Sequence, residues 1–277
     1  MIITFISYHK MWCKKMKEIF EHKTNEDYQF EFIYGDIRKK IKKEKGTIFV
    51  TPSNCLGSMK GGFDLIMSTF FFPGIEKRVR KLSKKLHIIY TNTQESILPI
   101  GSSFYFNDMD IKRCGLIVSP LMYYSQDIAH TENVYISYLS SLKLIKKMND
   151  YQKMLGEKEY KKVIFTGHGC GNGNMNFLKS IEQFEKAWND KDNDLQEMNI
   201  INESIHLPYC IYPYEEEKKE EFIDENNLKT IHFTNIHVTS CIENNDHYDI
   251  EFEIQHEHEH HYAVDECKES EETRDDL

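Results

Sequence analysis

Val163-Ile-Phe-Thr-Gly-His-Gly-Cys-Gly-Asn-Gly-Asn-Met175 is the segment whose residue pattern best indicates the fold class. Its first residues form the short apolar run that a buried parallel strand requires. Four glycines follow at alternate positions, and a helical pattern begins at Phe177. The spacing matches neither the dinucleotide fingerprint nor a Walker loop, since it lacks both G-x-G-x-x-G and a terminal Lys-Ser/Thr pair. Alternating glycines still expose successive backbone N–H groups, so we predict a loop that binds phosphate.

Similar strand, loop and helix units precede this stretch. Apolar or alternating runs predict strands at residues 2–7, 28–34, 47–50, 86–90, 103–106, 116–122 and 163–166. Helical spacing predicts helices at residues 11–22, 63–72, 134–148 and 177–188, with a basic helix that ends near residue 85. This alternation predicts an α/β domain with helices on both faces of a largely parallel sheet. In such sheets the ligand site lies beyond the carboxyl ends of the strands.

A second glycine-rich loop, Thr51-Pro-Ser-Asn-Cys-Leu-Gly-Ser-Met-Lys-Gly-Gly-Phe-Asp64, also leaves a strand and enters a helix. Gly61 and Gly62 allow a ligand to approach the backbone closely, and amides at a helix start favour phosphate. Asn54 offers both a donor and an acceptor to a ribose. The alternative is that the two glycines only shape a turn and that Asp64 only stabilises the helix start.

The charge divides the chain near Asp190. Residues 1–190 hold an excess of Lys and Arg, residues 191–277 hold a larger excess of Asp and Glu, and the net charge is −10. A basic body suits an anionic ligand such as a nucleotide. We therefore predict a ligand-binding domain over residues 1–190 and an acidic extension over 191–264, with a possible hairpin from Thr230–Ile242 and Tyr248–Ile254. Residues 265–277 are predicted to be a disordered acidic tail.

Cysteine usage and hydropathy indicate the compartment. The seven cysteines are scattered without a CxxC pair, which favours free thiols and a reducing, cytoplasmic setting. No apolar run is long enough to span a bilayer, and residues 1–8 are predicted to be a first strand instead of a signal peptide. Abundant Lys, Asn, Ile and Tyr are typical of an AT-rich genome, such as that of a large DNA virus or a protist. A viral origin would place the protein in the host cytoplasm or nucleus.

The ordered motifs resemble the macro domain family. They are Gly35-Asp36-Ile37, Pro52-Ser53-Asn54, Gly61-Gly62-Phe63-Asp64 and Gly167-x-Gly-x-Gly, and they cover residues 1–190. Thr-Pro before Ser-Asn, Leu98-Pro99-x-Gly101 and Ser119-Pro120-Leu121-Met122 are similar to a macro-like subgroup. The resemblance implies a three-layer α/β/α fold with a mixed, mostly parallel central sheet. It also implies binding of ADP-ribose or an ADP-ribosylated protein, with no metal and no cofactor.

The resemblance assigns a role to each matching residue. Asp36 would hydrogen-bond the adenine amino group beside the Ile37 amide, and Asn54 would face the distal ribose. The resemblance also assigns two backbone segments. The first would pass beside the distal ribose and phosphates and consists of Gly61, Gly62 and Phe63. The second would surround the pyrophosphate and consists of Gly169, Cys170, Gly171, Asn172 and Gly173. Asp64 falls where hydrolytic members of the family carry an aspartate, so Asp64 and Asn54 are the candidate catalytic residues.

Departures from the family pattern bear on catalysis more than on binding. Thr51 replaces the first asparagine of the usual loop, Lys60 replaces a glycine, and Ser68 stands where a histidine is common. Three functions stay open: hydrolysis of an ADP-ribosyl linkage or of ADP-ribose 1''-phosphate, non-catalytic recognition of ADP-ribosylated partners, and RNA binding by the basic face. The basic run is Lys77, Arg78, Arg80, Lys81, Lys84 and Lys85, which is alternatively a solvated helix face.

Three further features have two interpretations each. Gln255-His-Glu-His-Glu-His-His-Tyr262 places histidines on one face of a strand, which fits Zn²⁺ or Ni²⁺, although no flanking pattern fixes their geometry. His168 is either an acid or base near phosphate or a residue packed beside the strand end. Lys60 either offsets phosphate charge or is simply exposed. The oligomeric state is open.

Overall fold

The computed structural model describes residues 1–86, 88–90, 95–193, 209–211, 235–244 and 247–255. Eleven strands occur in these ranges: β1 (Ile2–Ser7), β2 (Gln29–Tyr34), β3 (Thr47–Asn54), β4 (Ile88–Tyr90), β5 (Glu95–Ser96), β6 (Ser103–Asn107), β7 (Cys114–Met122), β8 (Lys162–Phe165), β9 (Tyr209–Ile211), β10 (Asn235–Asn244) and β11 (His247–Gln255). The α-helices are α1 (Lys10–Phe20), α2 (Ile37–Lys40), α3 (Gly62–Ile66), α4 (Ile75–Leu86), α5 (Asn133–Met154) and α6 (Phe177–Asp190). A 3₁₀ turn spans Glu21–Lys23, and a π-helical turn spans Met67–Phe71.

The main sheet has the order β11-β10-β6-β7-β3-β8-β1-β2. From β2 through β1, β8 and β3 to β7 every neighbouring pair is parallel, whereas β6 is antiparallel to β7. The carboxyl ends of β1, β2, β3, β7 and β8 therefore share one edge. The mixed, mostly parallel sheet that the sequence predicts is confirmed.

Helices cover both faces of this sheet because the buried residues of each strand alternate in direction. Phe5 packs against α1 and α6, in a core that α5 also covers, whereas its neighbour Ile6 belongs to the core on the opposite face. Phe49 and Ile164 lie on the same face of the sheet as Ile6. They belong to the core that α2, α3 and α4 cover. The result is the predicted three-layer α/β/α arrangement with two separate apolar cores.

Several element boundaries differ from prediction. The helix predicted over 63–72 is an α-helical turn followed by a π-helical turn, and α4 continues to Leu86, where a strand was expected to begin. The predicted strand 47–50 extends through Pro52 to Asn54, alongside β7. Pro52 is tolerated because β8 pairs with β3 only over residues 47–49, so at Pro52 the strand is paired on one side only. The four-residue helix α2 was not predicted.

Beyond residue 193 the structure describes three strands, β9, β10 and β11. The backbones of β10 and β11 pair antiparallel, and β10 runs parallel to β6, while β4, β5 and β9 form a small antiparallel sheet. The predicted acidic tail, residues 265–277, lies outside the described residues. The division of the chain at residues 190 and 264 stays a prediction.

Candidate functional site

A cleft of about 870 Å³ opens at the carboxyl ends of the parallel strands. Its walls come from the loops that follow β1, β2, β3 and β8, together with the start of α3. Nearly every residue that the sequence singles out for a ligand lines it: Ile37, Asn54, Gly61, Gly62, Phe63, Asp64, Gly169, Cys170, Gly171, Asn172 and Gly173. Asp36 lies between two lining residues, Gly35 and Ile37. Chain segments more than 100 residues apart therefore converge on one site.

The two glycine-rich loops approach each other across this cleft. A Cβ atom built on Gly61 would lie 3.6 Å from the side-chain nitrogen of Asn172. Gly61 precedes α3, and Gly62 has a φ of +54°, a left-handed conformation that favours glycine. A side chain at Gly61 would thus face the second loop, and the glycine pair keeps the opening between the loops clear.

Asn54 organises the first loop in this structure. Its side-chain Nδ2 donates to the carbonyl of Ser58 at 2.7 Å, and its Oδ1 accepts from the Ser58 N–H at 3.1 Å. The amide therefore clamps a turn of the same loop while the residue lines the cleft. The ribose contact that the resemblance implies would need Asn54 to use its remaining hydrogen-bonding capacity or to exchange partners.

Asp64 is a buried acid at the cleft wall. Only 6% of the residue is exposed, and its Oδ1 accepts a 2.6 Å hydrogen bond from the hydroxyl of Thr51. Burial disfavours the charged form and raises the pKa of Asp64 to about 7, against the opposing effect of hydrogen bonds from Thr51 and Ser53. A carboxyl group with this pKa is suited to accept a proton near neutral pH.

The glycines of the second loop serve two different purposes. A Cβ on Gly169 would lie 2.7 Å from Val134, and one on Gly173 would lie 2.7 Å from the Gly169 carbonyl oxygen, so close packing excludes a side chain at both. A Cβ on Gly171 would meet nothing within 4 Å. Gly171 is exposed in the cleft, so the fold itself leaves room for a side chain there.

A neighbouring segment holds the second loop in place. Ile128 donates its backbone N–H to the Gly173 carbonyl at 3.0 Å, and the Asn174 side chain donates to Asp127 at 2.7 Å. Asn174 itself has a φ of +53°, which asparagine tolerates better than most residues. The Asn174 hydrogen bond also lowers the pKa of Asp127. These contacts preorganise the loop from outside the cleft.

Asp36 is held by the residue two positions later. Its carboxylate caps α2 by accepting from the Arg38 N–H and forms a two-pronged ion pair with the Arg38 guanidinium. This hydrogen bonding holds the pKa of Asp36 well below its usual range, and the Tyr8 hydroxyl acts in the same direction. The carboxylate therefore stays ionised and can accept a hydrogen bond from an amino group.

The contribution of β1 and α1 to the cleft was not predicted from the sequence. Tyr8, His9 and Trp12 follow β1 and line the site, as does Phe177 at the start of α6. The His9 ring packs on Phe177 at a centroid distance of 4.9 Å, and its Nδ1 accepts from the Trp12 N–H to cap α1. The sequence contained a signal for this contribution. Residues 2–7 were predicted to form a buried strand, and the residues that follow a parallel strand lie at the carboxyl edge of the sheet, where the cleft is.

Other candidates lie away from the cleft lining. His168 is fully buried, stacks on Tyr138 with the ring centroids 4.0 Å apart and contacts the Ser137 hydroxyl through Nδ1 at 3.2 Å. Of its two interpretations, the structure therefore favours a residue packed beside the strand end. Burial lowers its pKa to about 3. Lys60 is exposed beside the cleft without lining it, and Ser68 donates to backbone carbonyls within the first loop and α3.

No cluster of three metal-ligating side chains occurs among the described residues. The predicted histidine cluster at 256–261 lies outside them. Cys13, Cys55, Cys114 and Cys170 are free thiols. The described part of the chain has no helix with the length and apolar character that a membrane crossing needs.

Several of the solved structures that this chain resembles are macrodomains. No protein-family model matches the sequence, and no curated protein matches it either. The macrodomain of Mycobacterium tuberculosis DarG is 16% identical with a TM-score of 0.43, over 57% of this chain and 88% of that one. A mutant Oceanobacillus iheyensis macrodomain with ADPR is 16% identical with a TM-score of 0.42, over 58% and 77%. Thermosipho africanus DarTG in complex with ADP-ribose is 12% identical with a TM-score of 0.36, over 68% and 50%.

Proposed function

We propose that the cleft binds ADP-ribose or an ADP-ribosyl group attached to a protein. The observation that carries this proposal is the convergence of the four macro-like motifs on one cleft at the carboxyl edge of the sheet. Motifs that are only weakly specific one by one gain weight when all of them line the same surface. The cleft volume of about 870 Å³ also falls within the range of sites for a ligand of this size.

The ligand orientation that the resemblance implies is compatible with the charges and the backbone of the cleft. Asp36 would accept from the adenine amino group, and the Ile37 amide lies beside it at the start of α2. The exposed backbone of Gly171 and Asn172, with Gly61 and Gly62 opposite, would hold the pyrophosphate. The distal ribose would then lie near Asn54 and Asp64, where the first loop meets the sheet.

Calorimetry with ADP-ribose tests binding. We expect saturable binding by the full-length chain that Asp36→Ala weakens by at least tenfold, since that change removes a charged acceptor. Gly171→Glu should abolish binding, because it places bulk and negative charge where the phosphates belong. Lys158→Ala, at an exposed residue before the start of β8 and outside the cleft lining, is the control. Absence of binding by the wild type at millimolar ADP-ribose would reject the proposal.

Asp64 favours a second, catalytic function for the same cleft. With a pKa of about 7 and a place in the cleft wall, its carboxylate can take a proton from a water that attacks the anomeric carbon. The leaving group would be a protein side chain or the 1''-phosphate, and the products would be free ADP-ribose and that group. The substrate's own phosphate is the alternative base.

Incubation with a mono-ADP-ribosylated protein separates a hydrolase from a reader. A hydrolase releases ADP-ribose, and Asp64→Asn should abolish release while it preserves binding, because asparagine is of the same size and still accepts from Thr51. A reader retains the modified protein on the wild-type chain without release. Release that is unchanged in Asp64→Asn would remove Asp64 from the mechanism.

A further inference from the structure

Trp12 carries an unused hydrogen-bond donor at the cleft. The residue is 2% exposed and lines the cleft, yet its indole Nε1 has no hydrogen-bond partner. Among the described residues five buried side-chain polar atoms lack a partner, and only Trp12 belongs to the cleft lining. A buried N–H without a partner costs free energy, and tryptophan usually satisfies it. A ligand that enters the cleft can supply the missing acceptor.

The donor lies at the base of the second glycine-rich loop. A Cβ atom on Gly167 would lie 3.2 Å from the Trp12 Nε1 and 3.3 Å from the Cys170 sulfur. Both Gly167 and Cys170 line the cleft. The glycine at 167 therefore allows the indole nitrogen to approach the loop that leads to the exposed amides of Gly171 and Asn172.

The indole ring is held in position before any ligand arrives. It packs edge-to-face on Phe5 of β1, with the ring centroids 5.9 Å apart. The Trp12 backbone N–H donates to Nδ1 of His9, which fixes the first turn of α1. A preorganised donor loses little entropy when it bonds a ligand, so the contribution to affinity is large.

We propose that the Trp12 indole N–H donates a hydrogen bond to a phosphoryl oxygen of the bound nucleotide. This inference rests on the proposed function, since it assigns a residue of the same cleft. The phosphoryl group is favoured over the base because the donor adjoins the second loop after β8. Asp36 and Ile37, on the adenine side, follow β2, and β1 separates the two strands.

Proton–nitrogen NMR on the full-length, ¹⁵N-labelled chain tests the assignment directly. The chain has two tryptophans, so two indole signals are expected, and Trp188 on α6 lies outside the cleft lining. ADP and ADP-ribose should shift the Trp12 indole proton downfield, whereas adenosine should not. The Trp188 signal should stay in place. Binding that shifts amides of the second loop but leaves the Trp12 indole unmoved would overturn the inference.

Two substitutions measure the contribution of the N–H group to affinity. Trp12→Phe removes the donor and part of the ring, and replacement of Trp12 by 3-benzothienylalanine exchanges the N–H for sulfur at nearly constant shape. Both should weaken ADP-ribose binding about tenfold and leave adenosine binding unchanged. Trp188→Phe is the control. Full affinity in the sulfur isostere would refute the inference, whereas no binding of ADP-ribose by the wild type would refute the proposed function and this inference with it.

Discussion

The Thr51 hydroxyl donates a 2.6 Å hydrogen bond to the carboxyl group of Asp64, and both residues are buried. Thr51 belongs to β3 and Asp64 to α3, so this bond joins the two ends of the first glycine-rich loop. It also stabilises the ionised carboxylate against the burial that raises its pKa. One contact thus shapes the loop and tunes the acid.

Thr51→Val should raise the pKa of Asp64 further above 7, because it removes a donor to the ionised form at nearly constant volume. Carbon-detected NMR titration of the Asp64 carboxyl group measures the change. Thr51→Ser keeps the hydroxyl and serves as the control, with a pKa close to that of the wild type. An equal pKa in Thr51→Val and wild type would mean that the hydrogen bond has no effect on the acid.

Stability should fall between about pH 4 and pH 7 because of Asp64. The pKa of this group is about 7 in the folded chain and near its ordinary value of 3.8 when unfolded. Below about pH 4 Asp64 is protonated in both states. As the pH rises above 4, the carboxyl group ionises in the unfolded chain but stays protonated in the folded one, and this favours unfolding. Asp64→Asn cannot ionise, so its stability relative to wild type should rise across this range by on the order of 2–4 kcal/mol. Urea unfolding at pH 4 and pH 8 provides the comparison, and a constant difference would contradict it.

Substitution of two neighbouring glycines should separate binding from stability. Gly173→Ala should lower the melting temperature, since its Cβ would lie 2.7 Å from the Gly169 carbonyl and 2.9 Å from Ile128. Gly171→Ala should leave the melting temperature unchanged, and Gly171→Glu should remove ligand binding with little loss of stability. Differential scanning fluorimetry and calorimetry measure the two properties. A Gly171→Glu variant that unfolds would show that the fold, and not the ligand, requires this glycine.

His168 should make the fold sensitive to acid. Burial holds its pKa near 3 in the folded chain, below the ordinary value of 6.5, so the unfolded chain takes up the proton first as the pH falls. The contribution of neutral His168 to the free energy of unfolding is complete above about pH 6.5 and is lost progressively as the pH falls to 3. His168→Phe should remove this part of the dependence, although it also loses the contact with Ser137. Denaturant unfolding from pH 7.5 to pH 4 tests it, and identical slopes in both proteins would count against it.

The sequence predicts the layers of the fold because buried strands and helices leave clear periodic patterns. It cannot order the strands, since pairing depends on contacts between distant residues. The place of β1 between β2 and β8 is such a case. The sequence places Trp12 near the carboxyl edge of the sheet, but only the strand order shows that it lies beside the loop after β8 and the start of α6.

The loops were predicted as ligand sites, but the roles of their individual residues were not. Gly169 and Gly171 look equivalent in the sequence, but Gly169 has a φ of +74° and packs closely against Val134 and Met175, whereas Gly171 does neither. Asn54 was assigned to a ribose, and its bonds to Ser58 depend on a turn that spacing does not reveal. Burial of Asp64, and hence its high pKa, likewise requires knowledge of the surrounding core.

The central place of β8 has a consequence for how the protein is made. This strand lies between β1 and β3, so until residue 165 has been synthesised the main sheet remains in two separate pieces, β2–β1 and β3–β7–β6. Pairing between Ile2 and Lys162 closes one of the longest loops in the chain, which slows folding. A nascent chain on the ribosome therefore keeps the β8-facing edges of β1 and β3 unpaired until β8 emerges, and unpaired strand edges are sites where chains can aggregate.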